Sequence, residues 1–174
     1  MKYHAISLGK SMGLGMRWIS RIAVFAALMV AAVAGAAAAD RPAPLPGTVT
    51  VKTQYGFDAL VDRVEKAIAK HKMGLVAQAS ASRGAAARGV KIPGNAVLMV
   101  FRNDYAVRML KASVPAGIEA PLRIYITENA DGTASLTYRT PSAVFVPYRS
   151  GALDEMTKEL DGIFESIVRD AAGQ

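Results

Sequence analysis

The chain has 174 residues with no cysteine, 21 Lys and Arg against 14 Asp and Glu, and a formal charge of +7. That length supplies one domain with a real core and not comfortably two. The lack of Cys excludes disulfides, thiolate metal sites and a cysteine nucleophile together.

The first 39 residues are unlike the rest. Lys2, Lys10, Arg17 and Arg21 precede an unbroken, weakly apolar run from Ile22 to Ala39, and the first acid is Asp40. A basic n-region, an Ala-rich h-region and Ala37-Ala38-Ala39 before Asp40 predict a signal peptide over residues 1–39, hence a periplasmic or secreted protein. The rival is an uncleaved membrane anchor through residues 22–39, because about 20 apolar residues span a bilayer. Ala and Gly carry little transfer energy, which favours cleavage. No Cys follows the run, so a lipoprotein anchor is excluded. Cleavage removes four basic residues and no acid, leaving +3 on 135 residues. Such a charge concerns solubility; neither nucleic acid nor, once the leader is gone, membrane is an expected partner.

Residues 40–47 (DRPAPLPG) read as a Pro-rich spacer, and one α+β domain is expected over 48–172. Thr48 to Thr53 is β-branched and alternating, a first strand. From Phe57 to Met73 the period turns helical. Leu60, Val64, Ala67, Ile68 and His71 share one face, with Val61 at its border and Gly74 as the left-handed stop. Leu75 to Ala81 reads as a second strand. Arg83 to Gly94, basic and glycine-rich, reads as a loop. Ala96 to Phe101 is a continuous apolar run, predicting a central strand buried on both faces. Asn103 and Asp104 are placed to cap a short helix whose apolar side holds Val107 and Leu110.

Pro121 to Thr140 carries two alternating runs around Asp131-Gly132. A two-residue loop would set apolar residues opposite polar ones on every rung. A three-residue loop, Ala130-Asp131-Gly132, pairs Ile126 with Leu136 and Ile124 with Tyr138 and keeps each face consistent. Gly132 then needs a positive φ. Pro141 to Ser150 reads as a connection. A last helix from Gly151 to Ala171 carries the stripe Leu153, Met156, Leu160, Ile163, Phe164, Ile167 and Val168. Gly162 lies in mid-helix, where close packing is the expected reason. The order β-α-β-β-α-β-β-α predicts a mixed, largely antiparallel sheet with helices packed on one face.

With these elements in place the chain resembles the domain of unknown function 302 family. The resemblance rests on Met73-Gly74-Leu75, Phe101-Arg102-Asn103, the short helix Tyr105 to Ala112, Ala120-Pro121-Leu122, Asp131-Gly132 and Tyr138-Arg139-Thr140-Pro141. It spans about Gly47 to Ala171 and departs at Arg102-Asn103-Asp104, where the family pattern is Gly-Asn-Pro. It implies a compact α+β domain that associates as a dimer, with no activity established for the family.

The derived register makes Arg123 and Arg139 face each other on the side away from the Ile/Leu face. Like charges directly opposite are destabilising unless something negative lies between them. Glu119, an anionic ligand or a partner subunit could supply it. Tyr125 and Thr137 form the next rung, and arginine forks suit carboxylate or phosphate. Splayed, solvated side chains are the plain alternative. Arg123, Tyr125, Arg139 and Asn103 are therefore the candidate ligand-binding residues, for a small anionic ligand or a protein partner, with a homodimer expected. His71, the one histidine after cleavage, reads as a half-packed helix-end residue. The basic loop with Arg83, Arg88 and Lys91 matches no phosphate-binding spacing, so it reads as solvated. The carboxylates of the last helix read as a solvated face. No catalytic residue, metal or cofactor is assigned. The rival class is a small periplasmic hydrolase or isomerase using a cleft near Asn103 and Asp104.

Overall fold

The computed structural model describes residues 43–174, and the leader expected over 1–39 lies outside them. The elements run β1 (Thr48–Lys52), α1 (Phe57–Lys70), β2 (Gly74–Ala79), α2 (Ala81–Ala86), β3 (Asn95–Phe101) and α3 (Asn103–Ala112). A 3-10 segment (Val114–Glu119), β4 (Leu122–Glu128), β5 (Ala134–Arg139), α4 (Pro141–Phe145), a second 3-10 segment (Val146–Tyr148) and α5 (Gly151–Ala172) complete the order. The five strands form one sheet in the order β1-β5-β4-β3-β2, antiparallel at every pairing. The β1–α1–β2 crossover carries the chain from one sheet edge to the other, so those strands never pair and no parallel rung arises.

The β4–β5 hairpin has the register that a three-residue loop demands. Ile124 pairs with Tyr138 and Ile126 with Leu136, and Gly132 sits at φ +81°. Gly132 N–H reaches Asn129 O at 3.1 Å, and Asp131 accepts from the Thr133 amide and hydroxyl at 3.0 and 2.6 Å. The inner face stacks Ala96, Leu98, Val100, Ile124, Ile126 and Leu136, all essentially inaccessible to solvent. Against it lie α1, through Leu60, Val61, Val64 and Ile68, and α5, through Leu153, Met156, Phe164 and Ile167. Each stripe falls at the 3.6-residue period, which explains why two long helices share one face.

Six sequence expectations change. The strand β3 is not buried on both faces; Ala96, Leu98 and Val100 are, while Val97, Met99 and Phe101 are only partly covered. Among the described residues no helix crosses the outer side, so the apolar run there meets no second layer from them. The inward stripe of α3 is Tyr105 and Met109, and Val107 and Leu110 are 44% and 45% exposed. Both stripes have helical spacing. The winner is the one whose phenol can also find a polar partner.

Neither Asn103 nor Asp104 caps that helix: the N-cap is Arg102, with no side-chain cap bond. Part of the basic loop is the helix α2, started by Ser80, whose hydroxyl accepts from the Arg83 amide at 3.2 Å. Finally, Gly74 opens β2, and the left-handed residue ending α1 is Lys72, at φ 57°. Lys72 N–H to Ala69 O and Met73 N–H to Ile68 O, both 3.0 Å, make a Schellman ending. Gly162 also lacks its expected reason, since a Cβ there would meet nothing within 4 Å.

Candidate functional site

A recess of about 270 Å³ opens where the ends of β1, β5 and β4 meet the segment before β1. It is lined by Arg123, Tyr125, Thr137, Arg139, Thr48 and Glu119, over Leu45, Leu122, Tyr138 and Val144. The pleat explains the polar rim. Arg139 pairs with Thr48, Thr137 with both Thr50 and Tyr125, and Arg123 with Met99, so all of these side chains emerge on the uncovered face. Continuing the hairpin register by one rung sets Arg123 opposite Arg139.

The two arginines differ in employment. Arg139 Nη2 donates to Ala143 O at 3.0 Å and its Nε to Pro46 O at 3.4 Å, so its guanidinium ties α4 and the entering chain to β5. Arg123 is exposed, and among the described residues no carboxylate lies within 4.0 Å of either guanidinium. Glu119 shares the recess without pairing to them; its Oε1 accepts from Tyr148 OH at 3.0 Å. Burial, and then that bond to Glu119, pushes the Tyr148 phenol above its ordinary value, and burial does the same to Tyr138. Both phenols stay protonated at neutral pH.

The final residues of the expected spacer belong to this wall. Leu45 O accepts from Thr48 N–H at 3.1 Å, and Gly47 O from Thr140 N–H at 2.9 Å. Gly47 has φ +74°, and a side chain there would collide with Ala143 Cβ. Sequence reasoning found Arg123, Tyr125, Thr137 and Arg139 from the register and named Glu119 as a counter-charge. It missed Leu45, Thr48 and Val144. The β1–β5 pairing that brings Thr48 beside Arg139 has no local signal.

Asn103 does not join this group. It is exposed at the first position of α3 and lines neither the recess nor the cavity of about 30 Å³ beside that helix. Its neighbour Asp104 accepts from Arg102 Nε and Nη2 at 2.7 and 3.0 Å, and that fork holds its carboxyl below the usual range. Arg102 and Arg108 stack on the Tyr105 ring at 4.3 and 5.2 Å. Glu159 on α5 receives both Arg108 nitrogens, at 2.8 and 2.7 Å, and Tyr105 OH at 3.2 Å. These contacts fasten α3 to α5. Glu159 is thus an exposed acid that is nonetheless partnered, and half-buried Asp161 is partnered too, accepting from the Ser142 amide at 2.9 Å.

His71 forms the C-cap of α1, and its Nε2 lies 2.6 Å from Asp170 Oδ2, which Lys70 also reaches at 2.9 Å. Lys70 first and His71 second hold the Asp170 carboxyl below its ordinary value. Arg63 donates to Ala171 O and Asp170 O at 2.6 and 2.9 Å, filling the open carbonyls at the end of α5. Among the described residues no group of three or more His, Asp and Glu side chains is placed to hold a metal, and no helix is long and apolar enough to cross a membrane.

The architecture is an α+β domain with an open antiparallel sheet, one face under helices and a small charged recess at the other face's end. Residues 49–167 match the model of the family described as Domain of unknown function DUF302, and the chain belongs to that family. Among solved structures it is similar to the crystal structure of an uncharacterized conserved protein DUF302 from Bacillus stearothermophilus. That likeness has 18% identity and a TM-score of 0.65, covering 73% of this chain and 98% of the other, and it shows a shared fold. No curated protein matches.

Proposed function

We propose that the chain is an exported, non-catalytic binding module that takes a small anionic ligand in the Arg123–Tyr125 recess and works as a homodimer. The observation that carries the ligand is the contrast between the two arginines. One guanidinium is spent on backbone carbonyls, and the other stands at the rim of a 270 Å³ recess with no acid partner among the described residues. An unpartnered fork beside a phenol and the Thr48 and Thr137 hydroxyls suits a carboxylate bound two-point by Arg123. The acids near α3 are engaged in ion pairs, which favours binding over acid–base chemistry there. Export rests on the sequence pattern of the first 39 residues.

Dimerisation is supported by the outer sheet face, which no helix among the described residues covers, and where Val97 and Met99 lie beside Tyr125 with Ala77 and Ala79 on the edge strand. Two measurements test the proposal on the mature domain. Thermal shift against small carboxylic acids is expected to raise the melting temperature of the parent and not of Arg123→Gln. Light scattering is expected to give a dimer that Met99→Asp dissociates. No stabilising acid would end the ligand half, and a monomeric parent at micromolar concentration would end the dimer half.

A further inference from the structure

Resting on that ligand reading, we infer that the recess is built for a zwitterion: an α-amino acid with an apolar side chain. The rim carries two guanidiniums and one carboxylate, and one of the guanidiniums, that of Arg139, is held by the Ala143 and Pro46 carbonyls, which leaves Arg123 and Glu119 as the free pair. Arg123 has no carboxylate within 4.0 Å among the described residues, and Glu119 lines the same recess without reaching it. Tyr148 OH holds Glu119 Oε1 at 3.0 Å, which fixes the carboxylate, and Oε2 receives no protein hydrogen bond among the described residues. Opposite charges that share a small recess without closing on each other leave a position between them. A molecule bearing both a carboxylate and an ammonium satisfies both at once.

Size narrows the class. A volume of 270 Å³ is about nine water volumes at roughly 30 Å³ each. It falls just under the roughly 300–1,000 Å³ of sites for drug-sized ligands. About nine non-hydrogen atoms fill that space at water's density, the size of leucine. Leu45, Leu122 and Val144 supply the surface for its side chain. Selectivity follows from the same two groups. A phosphate or a dicarboxylate gains Arg123 but leaves Glu119 without a cationic partner from the ligand.

Isothermal titration of the folded domain at neutral pH tests this with three probes of one shape: leucine, 4-methylpentanoate (no ammonium) and 3-methylbutylamine (no carboxylate). Leucine is expected to bind at least tenfold tighter than either. In Glu119→Gln, whose amide oxygen can still accept from Tyr148, that advantage over 4-methylpentanoate is expected to vanish while the acid's affinity stays. Because the probe series uses the parent protein, the outcome does not depend on the variant folding. If 4-methylpentanoate binds as tightly as leucine, or Glu119→Gln keeps the preference, the zwitterion inference is overturned and the anionic-ligand reading stands. Equal binding of leucine and the amine overturns the inference and removes the role of Arg123. Binding of none of the three overturns the inference, and the anionic-ligand reading then falls only if the series of small carboxylic acids also fails to stabilise the protein.

Discussion

Replacing each recess arginine by alanine separates structural from recruiting roles. Arg139→Ala removes a charge-assisted bond to Ala143 O at 3.0 Å and a long one to Pro46 O at 3.4 Å. Hydrogen bonds to charged groups contribute about 1.5–3 kcal/mol each, and bonds near 3.5 Å far less. Both carbonyls lie near the surface, so water recovers part of the loss and about 1.5 kcal/mol is expected. For a domain of this size that lowers the melting temperature by about 6 °C. Arg123→Ala removes an exposed side chain with no partner among the described residues and relieves a like-charge rung. Its expected effect is within about 0.5 kcal/mol of zero, on the stabilising side. Urea unfolding with equal m-values reads both numbers directly. If Arg123→Ala costs as much as Arg139→Ala, Arg123 is a structural residue and the assignment of roles is wrong.

Gly162 faces solvent in mid-helix with room for a methyl group, so Gly162→Ala is expected to add about 1 kcal/mol to the urea-unfolding free energy. Lys72 ends α1 in the left-handed region, where a side chain costs about 1–2 kcal/mol and glycine's unfolded freedom returns part of that. Lys72→Gly is therefore expected to raise stability by about 0.5–1 kcal/mol in the same assay. The carboxyls of Glu159, Asp170 and Asp104 are all held below their ordinary values, first by Arg108, Lys70 and Arg102 respectively. At a pH between the two values the unfolded chain binds more protons. The stability these pairs contribute is thus present above about pH 4.5 and lost as pH falls through the lowered folded values. The urea midpoint should drop on acidification below that point, with a smaller drop for Glu159→Gln, as a pH series of unfolding curves would record.

The hairpin was legible because only one loop length keeps apolar residues together, and a consistent face is worth far more than any single contact. The first and last helices were legible for a similar reason, each carrying one dominant stripe. The helix α3 misled because Val107/Leu110 at i,i+3 and Tyr105/Met109 at i,i+4 both fit one helix face, and the deciding contacts, Arg108 and Tyr105 to Glu159, cross 51 and 54 residues. Apolar content marked β3 as an interior strand, which it is, next to the β2 edge, but could not say that among the described residues one face carries no helix layer. At the recess, register revealed the arginines. The employment of Arg139 by Ala143 and Pro46 was invisible, because carbonyl partners carry no side-chain signature.

Arg123 is proposed to recruit an anionic ligand at the end of the outer sheet face. Titrating isotope-labelled mature domain with 4-methylpentanoate and following the amide and arginine Nε signals by NMR tests it most directly. Saturable shifts at Arg123, Tyr125, Thr137 and Thr48 that disappear in Arg123→Gln are the expected result. Shifts gathered instead around Tyr105 or Lys70, or no saturable shift, would contradict it.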